Sequence, residues 1–522
     1  MRSTQTEVLI AGAGAAGLVL AIDLARRGVA FRLVDKLGGP FIGSKGKGLQ
    51  PRTLEVFEDL GLIGPILDVG AVYPPVWTYD GGRVVSRAQS EVRPATSSEP
   101  YPNSLMVPQW KTEAALRDRL AELGSQPEHG VELTGFHDDG LEVRATLASS
   151  TGSEIVACRY LVGTDGGRSF VRRALGIGFP GERRSFRMVL ADMAIDNLTR
   201  EVWSRWPDAP GGQLSLCPLA GTDLFQVAAQ IGPDETPDLS LDYLQDIIAA
   251  RSGRGDLIGH EPGWTSLYNA SFHLADRYRV GRIFIAGDAA HAHPPTGGQG
   301  LNTAVQDAYN LGWKLAHVLA GARQALLDTY ELERRPIAGG VLSLSASLLD
   351  AMNQRHDMRR GRDTLQLDLT YRGSPLAEDL RTLAGGVQAG DRAPDARVRM
   401  ASGELTRLFD VLKGPQFTLL AYDAAVAELR GLDLSSATQV RLLTASSNVV
   451  EGDLIDAEGA FRAAYGLSGG ELLLIRPDGY LGAVAQAGQG AAIVDYLNRW
   501  AGPAGQPANS LLPKERQDAR TP

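Results

Sequence analysis

The sequence has few of the residues that mark secreted, metal-binding or nucleic-acid-binding proteins. Only two cysteines occur in 522 residues, Cys158 and Cys217, and neither has metal-ligand spacing around it. The histidine pair His291 and His293 has poor zinc spacing, so we expect no metal. This cysteine usage argues against a disulfide framework and favours the cytoplasm. The net charge of −9, without a basic patch, excludes nucleic acid as an expected partner.

Long hydrophobic runs are also missing. Val8–Ile22 imitates the apolar core of a signal peptide, but it is too short to cross a bilayer and contains three glycines. Charged residues follow it directly at Asp23, Arg26 and Arg27. We therefore predict a soluble protein that has no membrane partner. With 43% hydrophobic residues, a chain of 522 residues should form two or three domains.

A glycine-rich loop stands close to the start of the chain. Glu7–Ala11 is predicted to be a buried strand and Ala16–Arg27 a helix, with "GAGAAG" between them. Gly12 allows a tight turn, Gly14 lets the backbone approach a pyrophosphate, and Gly17 permits close packing of helix on strand. The N–H groups and dipole of the helix then favour an anion. The pattern predicts a dinucleotide site, although a glycine-rich turn in an ordinary α/β protein is the alternative.

Two acidic residues indicate which dinucleotide is bound. A second predicted strand ends at Asp35, 23 residues after the first glycine, where the carboxylate can accept hydrogen bonds from a ribose diol. The next strand that ends in an acid and a glycine-rich loop comes about 250 residues later, at Asp288. A nicotinamide dehydrogenase would instead continue with repeated βα units. Two distant contacts suit an extended cofactor with a sugar-alcohol chain and a large ring system, which describes FAD.

Three motifs match a known family in order. They are "GAGAAG" at 12–17, "VGTDGGRSFVRRALG" at 162–176 and "GDAAHAHPPTGGQGLN" at 287–302, and "VPQWKTEAALRDRLAEL" at 107–123 lies between the first two. The sequence resembles the class A FAD-dependent aromatic hydroxylases, typified by para-hydroxybenzoate hydroxylase, phenol hydroxylase and the hydroxylases of aromatic polyketide pathways. The resemblance covers about residues 5–390.

The resemblance implies where FAD is held. The carboxylate of Asp288 matches the one that hydrogen-bonds the ribityl chain, and the loop 294–300 matches the segment along the isoalloxazine edge. Its glycines let backbone N–H groups reach the ring, and the helix that starts near Leu301 directs its positive end toward it. The expected cofactor contacts are Gly12, Gly14, Ala15, Ala16, Gly17, Asp35, Lys45, Gln109, Asp165, Arg168, Asp288, Pro295, Gly298, Gly300, Leu301 and Asn302, with the backbone at Pro295 supporting the ring.

Some of these contacts have alternatives. Lys45 stands where the family is expected to carry an arginine, and lysine loses the bidentate phosphate geometry. Arg52 is a second candidate for that task, or a surface residue at a helix start. Asp165 and Arg168 would bridge a loop that touches FAD and the nicotinamide cofactor, or form only an ion pair in a surface turn. Gln109 would otherwise be a helix cap.

The predicted fold is α/β: a Rossmann-like FAD-binding domain, an inserted antiparallel-sheet substrate domain, and a C-terminal thioredoxin-like domain. Short apolar strands alternate with turns in the middle of the chain, as in an antiparallel sheet. The family places such a sheet over the flavin. The C-terminal module contains no cysteine, which excludes thiol redox activity there. The predicted division is 1–177 (FAD-binding, first part), 178–275 (substrate sheet), 276–384 (FAD-binding, second part), 385–502 (thioredoxin-like) and 503–522 (disordered tail).

The residues of the substrate sheet that could line a pocket are Trp203, Phe225, Gln226 and His273, although each type is more often found in a core. No single catalytic base is evident. That fits the chemistry implied by the resemblance, in which the reactive oxygen belongs to a flavin C4a-hydroperoxide and the protein positions and shields it.

The resemblance implies an NAD(P)H-dependent FAD monooxygenase that uses O₂ to hydroxylate a phenolic or polycyclic aromatic, polyketide-like compound. Baeyer–Villiger insertion or epoxidation of a polyketide is the alternative with the same cofactor. A non-catalytic FAD protein that binds an aromatic ligand is the alternative from another class. No second nucleotide fingerprint is present, so NAD(P)H is expected to bind transiently. The sequence decides neither between NADH and NADPH nor the oligomeric state.

Overall fold

The computed structural model is of the predicted α/β class. Three eight-stranded sheets, counted over the described residues, form its framework. The predicted ring contact Pro295 and nearly all of the predicted tail 503–522 lie outside these residues. The described residues are 2–89, 91–294, 297–353, 361–381, 385–434, 440–447 and 453–503.

The first sheet, which we call the nucleotide sheet, has four parallel strands at its centre. Arg2–Ala11 pairs with Phe31–Asp35 on one side and with Gly152–Gly163 on the other, and Ile283–Ile285 follows. Helices or loops cover both faces, which explains the continuous Val, Leu and Ile runs in the sequence. Because these strands are parallel, the segments that follow them meet at one edge of the sheet. The remaining strands are Glu128–His129, Glu132–Asp138, Val143–Ser149 and Arg279–Val280.

The helix Ala15–Ala25 follows the glycine loop and explains the apolar run near the start of the chain. It is enclosed by the nucleotide sheet and by the helix Gly300–Leu319, so nearly all its side chains are buried. Asp23 lies inside it and accepts hydrogen bonds from Arg26 Nε at 2.7 Å and Arg27 Nε at 3.0 Å. The segment that imitates a signal peptide is therefore a core helix.

The second sheet, which we call the roof sheet, is antiparallel over most of its width. One of its faces packs on the helix Leu241–Ser252, and the other faces a cavity described below. The predicted range 178–275 does not include all of it, because a hairpin from the first part of the chain pairs in parallel with Trp203–Trp206. Its strands are Val76–Asp80, Arg83–Ala88, Gly181–Met193, Trp203–Trp206, Leu214–Pro218, Phe225–Ile231, Trp264–Leu274 and His291–Ala292.

The third sheet lies in the C-terminal region and is mixed. Phe417–Tyr422 pairs in parallel with Val440–Ser446 and antiparallel with Glu471–Ile475. The short strand Glu378–Asp379, which precedes the predicted boundary at 385, also pairs with this sheet. The other strands are Arg397–Met400, Leu405–Arg407, Leu454–Ile455 and Leu481–Gln486.

Buried ion pairs join the C-terminal region to the long helices of the FAD-binding part. Glu333 accepts hydrogen bonds from Arg476 at 2.6 and 2.9 Å and from Lys314 at 2.7 Å, and all three side chains are fully buried. Burial opposes the ionisation of Glu333, but the charges of Arg476 and Lys314 outweigh it and lower the pKa of this carboxyl. Removing one partner of such a cluster would leave an uncompensated buried charge.

Arg52 belongs to this contact between domains. Its guanidinium binds Glu55 at 2.8 Å and the carbonyl oxygen of Asp478 at 2.7 Å, and it lies over the ring of Tyr480. Only 4% of Arg52 is exposed. The structure therefore corrects both interpretations of this residue: it is neither a surface residue nor turned toward a phosphate, because its partners lie in the C-terminal region.

The remaining elements connect these sheets. Cys158 and Cys217 are buried and form no disulfide. No helix among the described residues is both long and apolar enough to cross a membrane. The other helices are Pro51–Asp59, Ile63–Val69, Gln109–Glu122, Phe170–Ala174, Ala325–Asn353, Leu408–Leu412, Val426–Leu429, Ala460–Tyr465 and Gly490–Trp500, with 3₁₀ turns at Gly287–Ala289, Arg362–Thr364 and Asp423–Ala425. Short strands occur at Gly48–Leu49, Ala71–Val72, Leu105–Met106, Ile195–Asp196 and Ile258–Gly259.

Candidate active site

A cavity of about 650 Å³ runs from the edge of the nucleotide sheet to the roof sheet. Its lower part, the nucleotide half, is lined by the segments that follow the four parallel strands. Its upper part, the roof half, is lined by side chains of the roof sheet. The volume lies within the range of about 300–1,000 Å³ that is usual for ligand sites.

The three glycines of the first motif have different reasons to be glycine. Gly12 has φ +115°, and a Cβ there would lie 2.3 Å from the carbonyl oxygen of Thr164. A Cβ on Gly17 would lie 1.9 Å from the carbonyl oxygen of Gly12. Gly14 has an ordinary φ of −75°, and the nearest protein atom to its Cβ position is Glu113 Oε1 at 4.0 Å. Packing within the protein therefore requires glycine at positions 12 and 17, whereas glycine at position 14 only keeps the cavity open.

Asp35 lies where the sequence predicts, at the end of the second strand, and its carboxylate also supports the glycine loop. One oxygen accepts a hydrogen bond from Ala13 N at 2.7 Å, and the other accepts one from Leu37 N at 2.8 Å. The residue lines the nucleotide half. Because each carboxylate oxygen can accept two hydrogen bonds, capacity remains for a ribose diol.

Asp288 follows the fourth parallel strand and points its carboxylate into the cavity. Among the described residues no hydrogen-bond donor or ion-pair partner reaches it. The residue is exposed to the cavity, and the protein that surrounds the cavity raises its pKa by desolvation, against the opposing charges of His291 and Lys45. A carboxylate placed this way can accept hydrogen bonds from a ligand in the cavity.

Gln109 lines the cavity as predicted and holds a neighbouring segment. Its Oε1 accepts from Gly46 N at 3.2 Å, and its Nε2 donates to Glu113 Oε1 at 2.9 Å. Glu113 is 2% exposed, lines the cavity beside the glycine loop, and has a pKa raised by burial. Sequence reasoning missed Glu113, although its spacing of four residues from Gln109 on one helix places both on the same face.

Asp165 and Arg168 both line the cavity, but no ion pair between them occurs among the described contacts. The Asp165 carboxylate instead accepts hydrogen bonds from Phe170 N at 2.7 Å and Val171 N at 3.1 Å, which caps the helix Phe170–Ala174. Arg168 is exposed at the rim. The predicted bridge is therefore replaced by a helix cap, because the backbone N–H groups lie closer to the carboxylate.

Asn302, a predicted ring contact, makes its side-chain hydrogen bonds within the protein. It is fully buried and does not line the cavity. Its Oδ1 accepts from Gln50 N at 2.7 Å, and its Nδ2 donates to the carbonyl oxygens of Gly48 and Gly298, both at 2.8 Å. Asn302 thus ties together two backbone segments that border the cavity. The adjacent Leu301 does line it, at the first turn of the helix Gly300–Leu319.

A buried acid that the sequence analysis missed fixes the turn that carries Asp288. One oxygen of Asp307 accepts from His291 Nε2 at 2.7 Å and from Gly287 N at 3.2 Å, and the other accepts from Arg334 Nε at 2.8 Å. Burial raises the pKa of Asp307, but His291 and Arg334 outweigh it and lower the pKa. No cluster of three potential metal ligands occurs in the part of the chain that the structure describes.

The roof half follows the alternation of a strand. Phe186, Met188 and Leu190 on Gly181–Met193 face the cavity, whereas the residues between them face away. Neighbouring strands repeat the pattern. The other roof-sheet residues that line the cavity are Trp203, Arg205, Gln213, Ser215, Gln226, Ala228 and Tyr268.

Two of the four predicted pocket residues line this half, and two do not. Trp203 and Gln226 face the cavity. Phe225 precedes Gln226 in the same strand, so it points to the opposite face and packs in the core with the helix Leu241–Ser252. His273 also points away: its Nδ1 lies 3.0 Å from the carbonyl oxygen of Phe179, and its ring stacks on the Phe179 ring at 5.0 Å. Both predictions are therefore wrong, because Phe225 and His273 lie on the face of their strands that points away from the cavity.

Most of the predicted cofactor contacts converge on the nucleotide half. Gly17 supports the loop from below and does not line the cavity. Two features of the half fit FAD: the space that glycine at position 14 keeps open, and the unpartnered Asp288 carboxylate. The predicted contacts that line the cavity are Gly12, Gly14, Ala15, Ala16, Asp35, Lys45, Gln109, Asp165, Arg168, Asp288, Gly298, Gly300 and Leu301.

Comparison with known proteins agrees with this architecture. The family described as "FAD binding domain" matches residues 5–345, and the family described as "Aromatic-ring hydroxylase, C-terminal" matches residues 387–504. A flavin-dependent monooxygenase of Mycobacteroides abscessus is 41% identical over 94% of this chain and 99% of its own length. The 6-methylpretetramide 4-monooxygenase of Streptomyces rimosus is 34% identical over 92% of this chain and 91% of its own.

A solved structure extends the likeness to a complex with ligands. Aklavinone-11 hydroxylase in a ternary complex with FAD and aklavinone superposes with a TM-score of 0.80, at 28% identity, over 96% of this chain and 100% of its own. The matched families span the chain from the glycine loop to the C-terminal sheet. The chain therefore belongs to the FAD-dependent aromatic-ring hydroxylases and is a flavin monooxygenase.

Proposed function

We propose that this monooxygenase uses NAD(P)H and O₂ to hydroxylate a polycyclic aromatic, polyketide-like compound bound beneath the roof sheet. The observation that carries the proposal is the continuity of the cavity, whose nucleotide half opens directly into a roof half walled by aromatic and aliphatic side chains. Two relatives are named for 6-methylpretetramide and aklavinone, which supports a substrate of this class.

The nucleotide half would hold FAD through groups of known geometry. The N–H groups at the start of Ala15–Ala25 bind the pyrophosphate, Asp35 accepts from a ribose, and Asp288 accepts from the ribityl chain. The positive end of Gly300–Leu319 favours negative charge at the ring end of the cavity. When bound, FAD supplies the redox chemistry, taking electrons from NAD(P)H and passing them to O₂.

The roof half would position the substrate and exclude water. Phe186, Met188 and Leu190 offer an apolar wall to a flat ring system. Tyr268 also lines the cavity, and its pKa is raised by burial and by the charge of Asp288, so its hydroxyl stays protonated as a hydrogen-bond donor. Exclusion of water from the cavity strengthens each polar contact and limits side reactions during oxygen transfer.

NAD(P)H would bind transiently at the rim of the nucleotide half, because the chain carries one nucleotide fingerprint. Arg168 and Arg173 line the cavity there, and both are exposed enough to meet the phosphates of an incoming cofactor. Dependence on NAD(P)H is consistent with a cytoplasmic location, which we propose as well.

The proposed function predicts that purified protein is yellow, with FAD that is released on denaturation. We expect a panel of hydroxylated anthraquinones and tetracyclic polyketides to contain a compound that strongly accelerates NAD(P)H oxidation and gains one oxygen atom. Mass spectrometry detects the gain, and NMR of the product distinguishes a new phenol from an ester or an epoxide. FAD-loaded protein that binds these compounds without faster NAD(P)H oxidation would instead be a binding protein.

A further inference from the structure

We propose that Lys47, oriented by Gln226 and Trp203, forms a subsite that binds the substrate as its phenolate or enolate anion. The inference rests on the proposed function, because it assigns the orientation of an aromatic substrate in the roof half. It specifies how such a substrate is oriented: the edge of the ring system that carries an ionisable hydroxyl enters this end of the cavity.

The position of the Lys47 ammonium is well defined. Nζ lies 2.5 Å from Gln226 Oε1 and 4.6 Å from the ring centroid of Trp203. All three residues line the roof half. The Lys47 backbone is held as well, since its carbonyl oxygen accepts from the Tyr73 hydroxyl at 3.1 Å and from Val107 N at 3.0 Å. A lysine fixed at both ends presents its charge at one place in the cavity.

A buried carboxylate lies close enough to this ammonium for the Lys47 charge to act on it. Asp192 is directly opposite Gln226 in the strand register and follows the cavity-facing residues of its own strand by two positions. It is 1% exposed. Burial raises the pKa of Asp192 to about 6, against the effects of neighbouring Ser44 and of the Lys47 charge. The Asp192 carboxylate and the Lys47 ammonium therefore interact electrostatically, although Asp192 does not line the cavity.

The remaining charge at this end is also positive. Arg205 also lines the roof half, with its guanidinium 5.9 Å from the ring centroid of Trp203. Lys47 and Arg205 thus both bring positive charge to the lining of the roof half. An opposite charge within about 4–6 Å lowers the pKa of an acid by about 1–3 units, and apolar walls strengthen the effect.

Ionisation serves the reaction that the enzyme catalyses. When a phenol ionises, its O–H bond breaks, the proton leaves to the solvent, and the electron pair stays on oxygen. That pair raises the electron density at the ring positions ortho and para to it, which are the positions that an electrophilic oxygen attacks. A cation at the phenolic oxygen therefore selects both the ionised form and the orientation of the ring.

Lys47 could instead serve only as a link between its loop and the roof sheet. The two roles differ in what Lys47→Met does. Loss of a link lowers the melting temperature but leaves the ionisation of a bound phenol unchanged. Loss of the subsite raises the pKa of the bound phenol toward its value in free solution, while methionine preserves most of the packing of the lysine stem.

The test uses FAD-loaded enzyme without NAD(P)H and the dye alizarin, a dihydroxyanthraquinone whose visible absorption shifts when a phenol ionises. In the wild type we expect alizarin to ionise about 1–3 pH units lower when bound than when free. In Lys47→Met this shift should disappear, with affinity for the anion falling about 10- to 150-fold, the loss of one charge-assisted hydrogen bond. Lys47→Arg should keep most of the shift.

Lys111→Met is the matched control, because Lys111 lies outside the cavity and donates to the carbonyl oxygen of Gly221. It should behave as the wild type, and all variants should retain FAD. Equal shifts in the wild type and Lys47→Met, or no binding of the anion to the wild type, would overturn the subsite. Failure of the proposed function is a separate result: the shift persists, but no member of the compound panel is oxygenated when NAD(P)H is added.

Discussion

Gly14→Val is expected to give a folded protein that no longer retains FAD. The backbone at Gly14 has φ −75°, which any residue adopts, and no protein atom lies closer than 4.0 Å to its Cβ position. The added side chain therefore meets only the space of the cavity. FAD would have to displace it or bind with its pyrophosphate moved from the helix N-terminus, a cost that corresponds to at least about 100-fold in affinity.

The measurement is FAD titration of apoprotein, followed by flavin fluorescence, alongside a thermal melt. Gly340→Val is the matched control: Gly340 is exposed on a helix and has no neighbouring atom within 4 Å of its Cβ position, so FAD binding should be native. Gly17→Val should behave differently from both, because a Cβ at 1.9 Å from the Gly12 carbonyl disrupts the fold itself. Native FAD affinity in Gly14→Val would show that the loop does not approach the cofactor.

The parts of the site that the sequence predicts well depend on local geometry. The glycine loop needs only a strand, a turn and a helix in succession, so short spacing in the sequence determines it. Asp35 and Asp288 could be placed for the same reason, as each directly follows a parallel strand of one sheet. Helix and strand limits near these motifs agree with the structure to within a few residues.

The orientation of a side chain could not be predicted where the residue can bind either a ligand in the cavity or a neighbouring part of the protein. Asp165 and Asn302 carry the expected atoms, but nearby backbone groups take up their hydrogen bonds. Phe225 and His273 were placed on the wrong faces because the sequence does not show which parity of a strand faces the ligand. Adjacent residues of a strand face opposite sides of the sheet, so an error of one position assigns a core residue to the pocket wall.

The residues that were missed interact across long stretches of sequence. Lys47 meets Gln226 across 179 positions, and Asp192 lies opposite Gln226 only because two strands pair in one register. Arg52 reaches the carbonyl oxygen of Asp478 across 426 positions. Single-residue patterns carry no information on such pairs, so the chemistry of the roof half and the contact between domains become visible only in the folded structure.

Replacing Asp288 should separate cofactor binding from folding. If Asp288 binds the ribityl chain as proposed, Asp288→Ala removes a charge-assisted hydrogen bond worth about 1.5–3 kcal/mol, or about a 10- to 150-fold loss of FAD affinity. Asp288→Asn should lose less, because its amide oxygen still accepts from a hydroxyl. Phe284 and its neighbours in the preceding strand are fully buried, so the strand keeps its packing in both variants.

Asp288→Asn should weaken FAD binding but raise the stability of the apoprotein. Burial raises the pKa of Asp288 in the folded chain above its ordinary value of 3.8, so the folded state holds the proton more tightly than the unfolded state. The penalty is absent below the unfolded pKa, grows as the pH rises toward the folded pKa, and reaches its full size above the folded pKa. Asp288→Asn removes this charge, and its apoprotein should melt higher than the wild-type apoprotein at pH 7.

Thermal melts of the apoprotein at pH 7 test the predicted change in stability, and FAD titrations test the predicted change in affinity. Asp328→Asn serves as the control, because Asp328 is exposed and pairs with Arg279 at 2.6 Å, a surface contact of small effect far from the cavity. If Asp288→Asn apoprotein melts lower than the wild type while binding FAD with native affinity, the carboxylate stabilises its own turn and not the cofactor. A higher melting temperature together with weaker FAD binding would mean that the folded chain bears an electrostatic cost at Asp288, which binding of the cofactor relieves.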